Sequence, residues 1–379
     1  MNSRVMTMLI LVVLAGILLF SVIGYSFSKN RAPNIQGEAI RSTIVHNQLG
    51  EQIVVDDGII RIGVITPLSG EYAFIGKDAI MGFELAKEKL EAGVLRGRDV
   101  QMVYKDSQCD PDMARLQEDR LQEEGIAFIV SLDCYGNVLQ GKDDLLVMTN
   151  GDVAKDTYSF TTDIDDDIHA FLDIRPQGST YVLFVDNSLG FAYKKALEKR
   201  TNVIASNAYE FGRPGFSDLA KKVAERRPDQ VFVAAMDKED LRGILAALRS
   251  FGYYDEVLTN VPVDEEYLDS LGKGAFDFEG IYFVTDFDSG SKRVSVQEFI
   301  QEIRGTYGVK PATYAANAYD TVMILGLLMA RDGKDPVSVK ESLTTIRNYE
   351  GITGLMTFSE SQVERTAYVR QVLDGRIMG

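Results

Sequence analysis

Residues 59–86 set an apolar strand directly before an amphipathic helix, and few architectures accept that succession. Ile60, Ile62, Val64 and Ile65 form a short, nearly continuous apolar run, the pattern of a strand covered on both faces of a parallel sheet. Pro67 and Gly70 end it, and a turn rich in small residues follows. After Gly76 the period changes. Ala79, Ile80, Phe83, Ala86 and Leu90 recur at three- and four-residue steps, while Lys77, Glu84, Lys87 and Glu88 supply a polar face, so an amphipathic helix is expected. Strand, turn and helix open a βαβ unit, and ligands of such sheets collect at the carboxyl ends of the strands. Ser69, Gly70, Glu71 and Tyr72 are therefore expected to face whatever the protein binds.

The same alternation continues. Residues 99–105 and 127–132 read as strands, with Asp110 and Pro111 as the cap and first turn of the helix between them and Gly125 just past its end. Residues 145–148 add a short strand. The alternation pauses in an acidic stretch, TTDIDDD at 161–167, then restarts with strands at 181–185, 202–209, 230–235, 257–259 and 281–284 and helices between them. Strands alternating with helices of this length predict parallel sheets covered on both faces, here as two doubly wound lobes. Residues 314–331 form a helix that is apolar nearly all round and belongs between neighbours. Residues 355–358 and 367–373 read as a closing hairpin-like pair.

The chain has 379 residues, enough for two domains. A net charge of −16 argues against nucleic-acid binding, which needs a basic surface. There is no G-x-x-x-x-G-K-[ST] and no G-x-S-x-G. Two His, two Cys and no Trp leave few residues for a metal or haem site. No cofactor and no enzyme activity are expected. The Asp163–His169 cluster does not have the spacing of an EF-hand and reads as a solvated crossover with a helix N-cap. At the other end, Val5–Ile23 is an apolar run of membrane-spanning length followed by Lys29 and Arg31. Residues 1–27 are read as a transmembrane anchor or signal segment, with the uncleaved anchor favoured, and residues 28–57 as a polar stalk.

In order along the chain, IRIGVITPLSGEYAFIG, VYKDSQCDP, IVSLDCYGN, YVLFVDNSLGFAYKKAL, GFSDLAKKV, YAANAYDTVMIL and GITGLMTFSES resemble the type I periplasmic solute-binding proteins, within them the leucine/isoleucine/valine-binding group of ABC importers. The resemblance implies two α/β lobes joined by three crossovers and closing on a ligand like a clamshell. It implies lobe one at 59–167 plus 287–349 and lobe two at 168–286 plus 350–379, with Asp163–Asp167 at the first crossover. It also implies a disulfide between Cys109 and Cys134, at the rim of the cleft. An even pair of Cys in an exported domain is more often bridged than metal-bound. That places everything after the leader outside the cytoplasm, facing the periplasm or cell exterior.

The ligand turns depart from the amino-acid pattern. Where the family has a Ser-rich turn and then a Ser-Pro-(small)-(small)-Thr turn, this chain has Tyr135-Gly136-Asn137 and Thr149-Asn150-Gly151-Asp152-Val153. Val153 has no side-chain donor and Asp152 repels a carboxylate. An aromatic expected near Leu189 and an acid expected near Val261 are absent. By position, the ligand-binding residues are expected to be Ser69, Gly70, Tyr72, Tyr135, Asn137, Gly151 and Asp152 from lobe one, with Asp165, Leu189, Phe191 and Asp237 from lobe two. Acids and aromatics in such a cleft suit an amine or other cation. The expected role is the extracytoplasmic binding component of an ABC importer, with a small polar ligand (amino-acid-like or amine) and permease subunits as partners. The other reading is a membrane-anchored sensory or scaffold ectodomain of the same fold.

Overall fold

The computed structural model describes residues 44–46, 52–54, 58–134, 138–150, 156–161, 164–174, 178–365 and 367–378. The leader and most of the stalk lie outside the described residues. Within the stalk, β1 (Ile44–His46) and β2 (Gln52–Val54) form an antiparallel pair that belongs to a unit of its own. Among the described residues no helix is long and apolar enough to cross a membrane. All that follows concerns the second unit, Gly58–Gly379.

The opening strand and helix form as their periodicities require. β3 (Ile60–Thr66) is buried at every position but Arg61. It pairs in parallel with β4 (Val100–Asp106) on one side and β5 (Phe128–Ser131) on the other. Beyond β5 come β6 (Leu146–Thr149) and β7 (Thr157–Ser159), also parallel. Helix α1 (Ala73–Ala92) lays Ala79, Phe83, Ala86 and Leu90 onto this sheet in the same core as Ile62 and Val64. Helix α2 (Pro111–Glu123) starts as its sequence requires: the Asp110 carboxylate accepts from the N–H groups of Asp112 and Met113 at 2.9 and 2.8 Å.

The chain then crosses to a second sheet. Helix α3 (Ile164–Ile174) occupies most of the acidic stretch read as a crossover. Its first turn holds Asp165, Asp166 and Asp167, where carboxylates complement the helix dipole. β8 (Ser179–Val185), α4 (Ser188–Arg200), β9 (Asn202–Tyr209), α5 (Ser217–Arg226), β10 (Gln230–Ala234), α6 (Lys238–Ser250), β11 (Glu256–Thr259), α7 (Glu265–Leu271) and β12 (Tyr282–Thr285) follow. In space the parallel strands run β9-β8-β10-β11-β12, and in the first sheet β4-β3-β5-β6-β7. Both are the doubly wound order 2-1-3-4-5, so each sheet has its switch point at its first and third strands. The expectation of two doubly wound lobes is borne out.

The chain returns to the first lobe through α8 (Val294–Tyr307), α9 (Thr313–Asp332) and α10 (Pro336–Leu343). Helix α9 is sandwiched as its all-round apolarity requires, with Ala315, Ala318, Val322, Leu325 and Met329 fully buried. It crosses α1 so closely that a Cβ on Gly82 would stand 1.9 Å from the Ala315 carbonyl oxygen. The end of the chain differs from the expected hairpin. β13 (Tyr349–Gly351), β14 (Gly354–Ser359) and β15 (Gln362–Arg365) make a small antiparallel sheet, tied to the first lobe where Ser159 N–H donates to the Ser361 carbonyl at 2.8 Å. β16 (Tyr368–Leu373) instead pairs antiparallel with β12, and β17 (Arg376–Met378) with β16. Residues 355–358 and 367–373 are therefore not partners, because the third crossover runs between them. The three crossovers lie between β7 and α3, between β12 and α8, and between β15 and β16.

Candidate functional site

The carboxyl ends of the two sheets face one another across a cavity of about 370 Å³. From the first lobe come Leu132 and Cys134 after β5, Asn150 after β6 and Thr161 after β7. The second lobe contributes Ser188, Leu189, Ala192 and Tyr193 at the start of α4, Asn260 and Pro262 after β11, and Val284, Thr285 and Asp286 at the end of β12. Thr313, Tyr314 and Asn317, on the first turns of α9, close it.

Local sequence explains how these groups are held. Asn187 caps α4, accepting from Gly190 N–H at 3.0 Å, which presents Ser188, Leu189 and Tyr193 to the cavity. The N-terminus of α9 has no cap of its own. Asp78, from α1, supplies one by accepting from Ala312 and Ala315 N–H at 2.9 and 2.8 Å. Burial pushes the Asp78 carboxyl up to about 6, against the pull of those two hydrogen bonds and of Lys238. Asn150 holds the turn after β5 by accepting from Asp133 N–H at 2.9 Å and donating to the Asp133 carbonyl at 2.8 Å. The Cys109–Cys134 disulfide spans the turns after β4 and β5, with a Cα–Cα distance of 5.5 Å.

Two carboxylates line the cavity. Asp167 accepts from the Tyr193 hydroxyl at 2.6 Å; burial and that neighbouring charge hold the hydroxyl well above its ordinary pKa. Asp286 accepts from the Thr313 hydroxyl, and from the Asn317 amide at 2.8 Å. Behind it lies the buried Arg365 guanidinium, 3.5 Å away. No Lys or Arg stands among the described lining residues. At the rim the lobes touch: Tyr72 stacks on Phe211 at 5.0 Å, Lys310 lies 3.9 Å from Asp264, and Arg304 pairs with Glu266.

The residues chosen by position are distributed unevenly around this cavity. Leu189 lines it, as does Cys134. Tyr72 sits at the rim against Phe211. Ser69 is drawn aside, its hydroxyl donating to Asp106 at 2.6 Å, and Gly70 is an exposed turn residue with φ +80°. Asp165 faces Arg200 at 3.0 Å rather than the cavity. Phe191 is half exposed and packs edge-on against Phe184. Asp237 caps α6, accepting from Asp240 N–H at 2.8 Å. Tyr135, Asn137, Gly151 and Asp152 lie outside the described residues. Sequence reasoning passed over Asp167, Tyr193, Asn260, Asp286, Thr313, Tyr314 and Asn317. For Asn260 a signal existed, since it follows a strand just as Asn150 does.

Two facing doubly wound lobes with a cavity at their strand ends are the architecture of a clamshell binding protein. The chain matches the periplasmic binding protein family over residues 59–376 and belongs to it. Among solved structures it is similar to the branched-chain amino acid transporter substrate-binding protein LivJ from Streptococcus pneumoniae, in complex with isoleucine. That pair has a TM-score of 0.68 and 18% identity, covering 85% of this chain and 98% of the other. The leucine-binding protein LivK from Thermotoga maritima gives 0.66 and 16%, over 84% and 97% of the two chains. An ABC-transporter solute-binding protein from Rhodopseudomonas palustris, in complex with 3,4-dihydroxybenzoic acid, gives 0.70 and 15%, over 85% and 95%. No curated protein sequence matches significantly.

Proposed function

We propose that this protein is the extracytoplasmic solute-binding component of an ABC importer, that it captures an amine or amino-acid-like solute between its lobes, and that it presents the closed form to permease subunits. The observation that carries the ligand class is the charge of the lining. Asp167 and Asp286 face the cavity, and the described lining residues include no cation. A free carboxylate entering such a site meets repulsion, whereas an ammonium group is attracted by Asp167 and, with the Arg365 charge behind it in part offsetting the effect, by Asp286. The cavity suits a small ligand, being at the lower end of the range for small-molecule sites, roughly 300–1,000 Å³. The family supports solute binding over catalysis, and similar structures hold isoleucine in one case and an aromatic acid in another. The lining argues for the former kind. The N-terminal apolar run is proposed as the tether that keeps the binding unit at the membrane surface.

A thermal-shift screen of the purified protein against amines, amino acids, sugars and aromatic acids tests this reading. The largest shift is expected from a solute carrying an ammonium group. Benzoate or another anion giving the largest shift contradicts it.

A further inference from the structure

The three crossovers share one buried side chain. Arg365 stands at the start of the third crossover with its side chain 1% exposed. Its Nη1 donates to the carbonyl of Phe160, which opens the first crossover. The same group lies 3.5 Å from Asp286 Oδ2, at the start of the second. It also donates to Asn317 Oδ1 at 2.8 Å. Because a guanidinium has donors and no acceptor, it fixes the orientation of the Asn317 amide, oxygen toward Arg365 and NH₂ toward Asp286 at 2.8 Å. A second pair, Arg370 with Asp288 at 2.9 Å, joins the second crossover to β16.

We propose that Arg365 is a positioning residue that pins all three crossovers together and, by holding Asp286 and Asn317, ties the wall of the cleft to the hinge. Three separate chain segments must bend when two such lobes move apart. A charge buried among them stays stable only while its partners remain in place, because an unpaired buried cation is costly. Movement at any one crossover therefore disturbs contacts at the other two. Asp286 and Asn317 line the cavity, so the same movement reaches the binding surface. The role at the binding surface rests on the reading of the cavity as the ligand site. The pinning of the hinge does not, and it is measured without ligand.

Hydrogen exchange on the ligand-free, full-length protein tests the pin. The variants are R365K, which keeps the charge, and R365M/D286N, which removes both charges and leaves no unpaired ion. In R365M/D286N, peptides carrying Phe160, Phe287 and Tyr368 are expected to exchange about tenfold faster together. Peptides from the sheet interiors, around Val64 and Val182, are expected to keep wild-type rates. R365K should restore much of the protection at all three crossovers. Faster exchange in the Arg365 strand alone overturns the proposal, as does a uniform rise that includes both sheet interiors, which is what a merely stabilising side chain produces. A protein that binds no ammonium solute yet shows the coupled exchange would sink the ligand reading and leave the pin standing.

Discussion

Asn150 and Asn260 make the same pair of hydrogen bonds in opposite lobes. Each follows the fourth strand of its sheet and grips the backbone just beyond the third. Asn150 does so at Asp133, with distances of 2.9 and 2.8 Å, and Asn260 at Ala235, with 2.9 and 3.1 Å. Both line the cavity. The two lobes thus repeat a device for holding a cavity-facing turn, although no residue-level repeat is visible along the chain.

Removing that grip should cost stability. Asn260→Ala leaves the N–H and C=O of Ala235, 1% exposed, without their partner. Unfolding in urea is expected to show a loss of about 2 kcal/mol. A loss under about 0.5 kcal/mol would mean that the turn holds itself.

Close helix packing gives a second test. Gly82→Ala drives a methyl group into the Ala315 carbonyl, and backbone cannot step aside as a side-chain tip can. A destabilisation of roughly 1–3 kcal/mol is expected, read as a lower Tm.

The disulfide should be stabilising. Cys109 and Cys134 are 25 residues apart in sequence, and closing a loop of that size restricts the unfolded chain by roughly 3 kcal/mol. C109A/C134A should lose about that much, measured by denaturant unfolding. Reducing agent should lower the wild-type Tm and leave that of the double variant unchanged.

Stability should depend on pH through Asp133, which is 3% exposed. Burial raises its carboxyl to about 6, Asp106 and Asp110 add to the rise, and hydrogen bonds from Ser107 and the Cys134 N–H oppose it. In the unfolded chain the same group titrates near 3.9. Between these values the native state binds the proton more tightly, so this group's contribution is full below about pH 4 and is lost as pH rises through about 6. Asp133→Asn should flatten that part of the stability profile. An unchanged profile in the variant would assign the dependence elsewhere.

What was legible in the sequence was the alternation, and with it the sheets, the caps and the facing of the strand ends. What was not legible depended on which neighbour claims each polar side chain. Ser69 looked like a ligand contact, but Asp106 from the adjacent strand end takes its hydroxyl. Within DIDDD, Asp165 and Asp167 are two residues apart on a helix, so they point to nearly opposite sides. One meets Arg200 and the other Tyr193 beside the cavity. An acidic run gives no means of choosing between them before the helix is known. Asp286, Asn317 and Arg365 are separated by 31 and 48 residues, and only the crossovers bring them together. The hairpin expected at the end of the chain failed for the same reason, since a local pattern does not reveal a change of lobe.

Calorimetric titration of the purified protein and its Asp167→Asn variant, with an alkylamine, a zwitterionic amino acid and benzoate, tests the central claim most directly. An ammonium-bearing solute is expected to bind the wild type most tightly, and the variant to weaken that binding about tenfold, near 1.4 kcal/mol. Tightest binding of benzoate, or an ammonium solute bound equally well by the variant, would contradict it.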